Sequence, residues 1–306
     1  MNECSDYFAR TLSSVNLTKV FNLPSWIPTL TDPVIPFNLE PPTYQQISNV
    51  IRKMKASGSP CPLDPLSIIC FKQCPFLRTY LSQIVRTAWS TGSVPSEWKW
   101  ACTILIHKKE NLMTLLTSVL LLYNLCLIRF LLRVFVMPFS TSSPLTTTLN
   151  MKFKKDLHQV FVELLSTLLK WLISLPKLVP NSVHSSLLFW TQDLKNAFGE
   201  VHHNLIQTAL DYHHIPDHIK SQVKSLYTDF KTSILTNEFR TPFISVGRVV
   251  LQGDCLSPLL FNLCFNTFLQ RIKSAKYRQF GFSLKFLNPI HWSQFADDAA
   301  VISGQE

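Results

Sequence analysis

Two adjacent carboxylates lie near the end of this 306-residue sequence, inside a run of apolar residues. Asp297 and Asp298 occur in the stretch HWSQFADDAAVISG, which has the pattern of a β-hairpin with apolar arms. Two like charges side by side repel each other unless a cation or a proton offsets them. Because Mg²⁺ prefers oxygen ligands and leaves positions open for phosphate oxygens, one interpretation is a metal site. The other is a solvated turn, where Asp is common because it hydrogen-bonds nearby backbone.

The charge balance favours a polyanionic partner. Lys and Arg number 29 against 19 acidic residues, which gives a net charge of +10. Such an excess is typical of nucleic-acid-binding proteins, although ordinary basic surfaces also carry it. The eight cysteines form no CxxC pair, and we interpret them as reduced, mostly buried thiols of an intracellular protein, in the cytoplasm or nucleus. The N-terminus lacks the apolar core of a secretory signal peptide, so we expect no secretion.

Two blocks, residues 36–110 and 189–306, have the pattern of folded sequence. In the first block, Thr43 and Gln46 form a capping-box pattern ahead of a helix, and residues 101–107 are predicted to form a strand. In the second block, helices are predicted from Pro216 and from Pro258 with Ser257 as N-cap, and strands over 231–236 and 242–246. The order of helices and strands predicts an α+β fold with an antiparallel sheet.

The remaining segments differ from these blocks. Residues 1–35 are expected to be a poorly structured N-terminal segment. Residues 111–188 contain 22 leucines and no glycine, within a glycine-free gap from Gly92 to Gly199. Ordinary usage of about 7% would place about seven glycines in that gap. We interpret 111–188 as an anomalous leucine-rich segment derived from a frameshift, and a genuine insertion is the alternative.

A run within this leucine-rich segment, residues 112–137, also has a second interpretation. Its first part approaches the composition of a transmembrane segment, but it is shorter than the usual ~20 residues and contains Asn124. Three neighbouring histidines, His213, His214 and His218, are interpreted as a solvated helix start rather than as a metal site, because no further ligands have suitable spacing.

Together, the two folded blocks resemble the reverse transcriptase domain of non-LTR (LINE-type) retrotransposons, over 193 of the 306 residues. Four stretches occur in the order that this family has. They are ASGSPCPLDPLSIICFK with GSVPSEWKWACTILIHKK, DLKNAF, LQGDCLSPLLFN and FADD. The resemblance implies a polymerase palm over 189–306 and a partial fingers region over 36–110. Because the sequence stops eight residues after Asp298, we expect the thumb to be missing.

The resemblance also implies the catalytic groups. Asp193 and Asp297 would be the ligands of Mg²⁺, for which Mn²⁺ could substitute, and Asp298 an auxiliary ligand. Two metal ions about 3.5–4 Å apart can activate the primer hydroxyl and stabilise the leaving pyrophosphate. By itself, Asp193 is equally compatible with a turn residue before a helix.

Four more residues would contact the nucleotide by the same resemblance. Phe198 matches an aromatic ring beneath the sugar, which would exclude a ribose 2′-hydroxyl, although core packing is the alternative. Gln252 and Gly253 match the loop that approaches the template base and the incoming nucleotide, where glycine permits close backbone approach. Lys108, at a predicted strand end, matches a lysine that meets the triphosphate; a solvated strand tip is the alternative.

Some positions depart from the family pattern. No arginine-proline-isoleucine motif follows Lys109, Val249 stands where the family usually has glycine, and Gly199 replaces an acidic residue. We therefore expect an RNA-directed DNA polymerase that adds deoxynucleotides to a DNA primer on an RNA template, degenerate and with little activity. The alternatives are a non-catalytic nucleic-acid-binding remnant and a membrane-associated protein, although we expect no membrane partner.

Overall fold

The computed structural model of the chain is an α+β arrangement of helices around two small sheets. It describes residues 2–13, 20–33, 37–55, 62–63, 66–107, 118–124, 131, 133–134, 188–193, 197–236, 238–250, 255–281, 292–295 and 298–303. The helices within these ranges are α1 (Asn2–Leu12), α2 (Tyr44–Lys53), α3 (Ile68–Gln73), α4 (Pro75–Thr91), α5 (His203–Tyr212), α6 (Asp217–Tyr227), α7 (Ser257–Ile272) and α8 (Ala275–Arg278). Short 3-10 helices span Ser96–Lys99 and Ala197–Glu200.

The described strands form two separate sheets. They are β1 (Trp100–His107), β2 (Ser118–Asn124), β3 (Leu188–Asp193), β4 (Lys231–Leu235), β5 (Ile244–Ser245), β6 (Trp292–Phe295) and β7 (Asp298–Ser303). One sheet has the order β2-β1-β4-β5 and the other the order β3-β7-β6. The three-stranded sheet is antiparallel throughout, whereas β1 and β4 of the larger sheet run parallel.

The prediction of an antiparallel sheet is therefore wrong for the larger sheet, which is mixed. Its β1–β2 and β4–β5 pairs are antiparallel, and its central β1–β4 pair is parallel. A parallel pair needs a long crossover between its strands, and well over a hundred residues separate β1 from β4. Periodicity identifies single strands, but it does not reveal which distant strand each one will pair with.

Several predicted elements are confirmed. Helix α2 begins with the predicted capping box, in which the Gln46 backbone N–H donates to Thr43 Oγ1 (3.3 Å) and the Thr43 N–H donates to Gln46 Oε1 (2.8 Å). Each of these bonds satisfies a polar group at a helix end that has no partner within the helix. Ile47 and Ile51, four residues apart on one face of this helix, are fully buried. The predicted strand over 101–107 is β1, one residue longer at its start.

Other boundaries differ by a residue or more. Helix α6 begins at Asp217, with Pro216 as its N-cap, and α7 begins at Ser257, with Leu256 as its N-cap and no side-chain cap. The predicted strands over 231–236 and 242–246 are each shorter in the structure. The proline and serine signals located both helices correctly, but such signals do not separate the cap from the first helical residue.

The N-terminal segment is more ordered than expected, because α1 lies within residues 1–35. Phe8 and Leu12 of α1 are 2% and 3% exposed, and they pack with Ile234, Ile244 and Val249 against the larger sheet. The two side chains are four residues apart and so share one helical face. The segment as a whole has low hydropathy, so its composition did not indicate this narrow apolar stripe.

A non-helical strap, residues 20–33, follows α1 and is held by side chains of the second folded block. Four donors from α5, the turn after it and α7 reach backbone carbonyl oxygens of the strap. They are Thr208 to Phe21 (2.9 Å), Tyr212 to Pro28 (2.6 Å), His214 to Leu30 (3.0 Å) and Arg271 to Trp26 (3.3 Å). The strap therefore has a defined course without secondary structure of its own.

Part of the leucine-rich segment is described, and it joins the fold. Strand β2 pairs with β1 over seven residues, and Leu131 and Val134 are buried in the main core, which the helices α2 to α7 surround. A strand at residues 118–124 is not the membrane helix that the alternative interpretation of 112–137 requires, and most of the other residues of that run lie outside the described ones. None of the helices in the described part of the chain is long and apolar enough to cross a membrane. The frameshift origin stays a prediction.

A buried hydroxyl pair ties the two parallel strands of the larger sheet together. Thr103 Oγ1 and Thr232 Oγ1 lie 2.7 Å apart, and Thr232 Oγ1 also donates to the Ala101 carbonyl at 3.4 Å. Both residues are almost fully buried, so removing one hydroxyl leaves the other short of a partner that water cannot replace.

We predict that Thr232→Val lowers the free energy of unfolding by about 1–3 kcal/mol, because it leaves the Thr103 hydroxyl without its partner. The double variant Thr103→Val/Thr232→Val should lose less, since valine has nearly the same shape and the orphaned hydroxyl is gone. Urea titration of the wild type and these variants measures the comparison. A double variant at least as unstable as the single one would contradict it.

Candidate active site

The three-stranded sheet brings two of the predicted carboxylate positions together. Asp193, the last residue of β3, is paired directly with Asp298, the first residue of β7. Directly opposed positions of an antiparallel ladder lie on the same face, with Cα atoms about 4.5–5.5 Å apart. The two residues are 105 positions apart in sequence, so only the strand pairing explains their proximity.

The hairpin that carries Asp298 has the predicted form. Phe295 at the end of β6 is paired with Asp298 at the start of β7, so residues 296 and 297 connect the strands. Two-residue connections are the tightest hairpin turns, and they set the register of the strands that they join. Strand β7 lies between β3 and β6, and its apolar residues Ala299–Ile302 suit a central strand. Asp298 therefore lies at the end of a strand paired on both sides.

The remaining predicted ligand, Asp297, lies outside the described residues, as do Gln252, Gly253 and Lys108. Across the described part of the chain, no group of three or more His, Cys, Asp or Glu side chains could hold a metal ion. The structure thus describes two of the three expected carboxylate positions by their backbone pairing. Carboxylates at these two paired positions would supply oxygen donors of the kind that Mg²⁺ prefers.

Phe198, the predicted sugar-contacting residue, is half-buried five residues after Asp193. Its ring stacks on that of Phe261 in α7, with centroids 4.6 Å apart and an interplanar angle of 17°. Its carbonyl oxygen accepts a hydrogen bond from the Val250 N–H at 3.1 Å. These contacts hold the 3-10 helix against α7 and the segment that leads into the predicted nucleotide loop. They establish the packing interpretation, and the contact with a sugar stays a prediction.

Val249 has the backbone conformation that its family position suggests for glycine. Its φ is +87°, and its side chain is a buried part of the cluster beneath α1. A β-branched residue at positive φ is a genuine outlier, with a cost of about 1–3 kcal/mol. Two hydrogen bonds hold it there: its N–H donates to the Val201 carbonyl (2.8 Å), and its carbonyl accepts from His203 Nε2 (3.3 Å). Valine thus occupies a conformation that suits glycine.

His203 is a half-buried titratable group that the sequence analysis missed. Burial is the main cause that lowers its pKa to about 4, while its hydrogen bond to Val249 opposes the shift and the neighbouring His202 adds to it. At neutral pH the ring is therefore uncharged, and its Nε2–H donates to the Val249 carbonyl. Adjacent histidines before an apolar helix gave no sequence signal that one of them would be buried.

Of the three histidines that were predicted to be solvated, His214 is exposed and His218 is half-buried, but the prediction is wrong for His213. His213 is 5% exposed at the C-terminus of α5, where its Nδ1 contacts the Ala209 carbonyl (2.7 Å) and its Nε2 contacts Asn266 Nδ2 (2.9 Å). Burial lowers the pKa of this imidazole too. Helix α7 covers the ring through Asn266, which is 53 residues from His213 along the chain.

Among the described cysteines, Cys102 and Cys264 are buried as predicted, but Cys70 is exposed.

Comparison with known proteins gives a consistent match. Residues 137–306, more than half of the chain, match the family described as reverse transcriptase (RNA-dependent DNA polymerase). The chain is 35% identical over 80 residues to the Retrovirus-related Pol polyprotein from type-1 retrotransposable element R2 of Nasonia vitripennis, which is 26% of this chain and 8% of that protein. It is 31% identical over 114 residues to the protein of the same name from Popillia japonica, which is 37% of this chain and 18% of that protein. The chain thus matches less than a fifth of the length of either relative.

Strain at Val249 predicts an inverted order of glycine and alanine variants. Both Val249→Gly and Val249→Ala remove the buried side chain, but only glycine adopts φ near +87° without cost. We expect the glycine variant to exceed the alanine variant by about 1–2 kcal/mol in the free energy of unfolding. Urea denaturation of both proteins tests this. At an unstrained position alanine would be the more stable by about 0.5–1 kcal/mol, and that order would exclude the strain.

Burial of neutral His203 predicts a loss of stability in mild acid. The unfolded chain binds a proton near pH 6.5, whereas folded His203 binds one only near pH 4. The free energy of unfolding should therefore fall as pH drops from about 7 to 4, by up to about 3 kcal/mol from this group. His203→Gln, whose amide can still donate to Val249, should show a shallower pH dependence in urea titrations. An unchanged slope would mean that other groups cause the acid sensitivity.

Proposed function

This chain belongs to the reverse transcriptase (RNA-dependent DNA polymerase) family, and we propose that it extends a DNA primer with deoxynucleotides on an RNA template. Its similarity to R2 Pol polyproteins makes it a reverse transcriptase domain of a non-LTR retrotransposon. The single observation that supports catalysis best is the pairing of Asp193 with Asp298 across two strands. The polymerase activity and the use of an RNA template and a DNA primer are proposed for this chain, which matches only part of each relative.

We propose a palm over residues 189–306 and a partial fingers region over 36–110. Support for this division comes from the three-stranded sheet, whose strands all lie within 189–306 apart from Leu188 at the start of β3. The strands β1 and β4 of the larger sheet come from both ranges, and the buried threonine pair joins them. A fingers region attached through a strand pair, rather than through a loose linker, would keep a constant position relative to the palm.

The carboxylates of Asp193, Asp297 and Asp298 are the proposed holders of Mg²⁺, with Mn²⁺ as a substitute. When bound, divalent ions would stabilise negative charge on the attacking and leaving oxygens of the phosphoryl transfer. The strand pairing of Asp193 and Asp298 fixes both backbones before any ion arrives, so little ordering is needed on binding. Without an ion, two close carboxylates repel each other, which favours capture of a cation.

The remaining nucleotide contacts rest on the family resemblance. Phe198 would lie beneath the sugar, Gln252 and Gly253 would approach the base pair, and Lys108 would meet the triphosphate. The contacts of Phe198 support its part, because stacking on Phe261 fixes the ring and its carbonyl anchors Val250 just before the loop with Gln252. A fixed aromatic ring excludes a 2′-hydroxyl better than a mobile one, since it cannot turn aside.

We further propose that the chain is degenerate, with low activity and an intracellular location. The strained Val249 supports this, because the cost of its φ falls on the segment that enters the nucleotide loop. A non-catalytic nucleic-acid-binding remnant is the second candidate, and the net charge of +10 favours it. The two candidates differ in whether the paired carboxylates matter.

The carboxylate proposal predicts that Asp193→Asn and Asp298→Asn each abolish Mg²⁺ or Mn²⁺ binding in isothermal titration, and any primer extension on an RNA template. Asp297→Asn should have the same effect. Each variant removes a charged oxygen ligand while keeping the shape of the side chain. Asp229→Asn is the matched control, since Asp229 is exposed at φ +57°, a conformation that Asn adopts readily.

Metal binding that persists in all three variants would exclude this site. Metal binding without extension in the wild type would leave the carboxylate site in place and support the degenerate chain. Salt-dependent binding of nucleic acid that all three variants retain, with no metal binding in the wild type, would favour the non-catalytic remnant.

A further inference from the structure

A cavity of about 450 Å³ lies between the start of α5, the end of α6 and strand β5. Ser13, directly after α1, completes the described part of its lining. The volume falls within the range of about 300–1,000 Å³ that is typical of sites for small molecules. Among the described residues of the lining, none is Asp193, Phe198 or Asp298, so this cavity is separate from the described part of the proposed polymerase site.

Buried side chains give the cavity an apolar wall. The members of this wall are each at most 5% exposed, and they are Ile206, Tyr227, Phe230 and Val246. The Tyr227 ring lies against that of His203, with centroids 4.6 Å apart at an angle of 56°. Since burial lowers the pKa of His203 to about 4, its ring is uncharged at neutral pH and extends the aromatic part of the wall. Such a surface favours an aromatic group of a ligand.

Lys224 and Asp229 add one positive and one negative charge to the lining. They are five positions apart at the C-terminal end of α6, and both are exposed, so they lie where the cavity opens to solvent. No ion pair between described residues includes either of them. A ligand with a single negative charge would be repelled by Asp229, and one with a single positive charge by Lys224. The opening therefore favours a molecule that carries both charges.

We propose that this cavity binds a free α-amino acid with an aromatic side chain. Such a molecule carries a carboxylate and an ammonium group at neutral pH, and its ring matches the apolar wall. The carboxylate would meet Lys224 and the ammonium group Asp229, while the side chains of Gln207 and Ser245 in the lining offer further donors and acceptors. The site goes beyond the proposed polymerase function, because this binding requires neither a metal ion nor a primer and template.

The test is isothermal titration of L-phenylalanine into the full chain, at neutral pH in EDTA. Three analogues each lack one feature: glycine has no ring, phenylpropionate no ammonium group and phenethylamine no carboxylate. Glycine should bind about ten- to hundredfold more weakly than L-phenylalanine, because no apolar ring is buried. Phenylpropionate and phenethylamine should each bind about two- to fivefold more weakly, as expected for the loss of one exposed ion pair.

Variants of the two charged residues assign each charge of the ligand. Lys224→Gln should weaken L-phenylalanine and phenylpropionate by about two- to fivefold and leave phenethylamine unchanged. Asp229→Asn should weaken L-phenylalanine and phenethylamine by a similar factor and should not weaken phenylpropionate. Lys231→Gln is the matched control, since Lys231 is an exposed lysine outside the lining, and it should leave all affinities unchanged.

The absence of binding of L-phenylalanine to the wild type would overturn the proposal. Phenylpropionate that binds as tightly as L-phenylalanine, with no effect of Asp229→Asn, would also overturn it and indicate a site for anions. An equal loss in Lys224→Gln and Lys231→Gln would overturn it too, because the effect would then come from the overall charge. The Asp193→Asn/Asp298→Asn variant should lose metal binding and keep wild-type affinity for L-phenylalanine, so the two proposals fail or succeed separately.

Discussion

The pairing of β3 with β7 is the constraint on which the candidate active site depends. The side chains of a strand alternate between faces, so a slip of one residue would put Asp193 opposite a different residue and move Asp298 to the other face. Two features oppose the slip: the short connection between β6 and β7, and the position of β7 between two partners. The alignment of the carboxylates is therefore a property of the whole sheet and not of the aspartates themselves.

The Val249 segment joins three other parts of the fold. Val249 bonds to Val201 and His203 next to α5, while its side chain packs beneath α1, and the following residue, Val250, bonds to Phe198. A change in this segment would therefore alter contacts with α5, with α1 and with Phe198 at the same time. Many contacts hold a strained residue better than few, which explains how valine keeps a conformation that suits glycine. The free-energy cost of the positive φ is then offset by contacts with several parts of the fold.

Local patterns in the sequence predicted much of this structure. The capping box at Thr43, the strand β1 and the hairpin before Asp298 all follow from spacing over a few residues. The metal-binding role of Asp193 comes from the family resemblance and not from spacing, and it stays a prediction. The features that sequence did not predict depend on distant contacts: the parallel pairing of β1 with β4, the burial of His213 and the packing of α1 against the larger sheet. A partner more than 50 residues away gives no signal in a local window of sequence.

The strap at residues 20–33 has a consequence for how its sequence can change. Its four hydrogen bonds end on backbone carbonyls, which every amino acid carries, so substitutions at Phe21, Pro28 or Leu30 leave those acceptors in place. Trp26 and Phe21 differ, because Arg271 also lies 4.9 Å from the Trp26 ring centroid and the His202 ring lies 5.4 Å from that of Phe21. We therefore expect mutations to accumulate along the strap with little selection against them, except at these two residues. Relatives of this chain would then share the path of the strap even where their sequences no longer align over these residues.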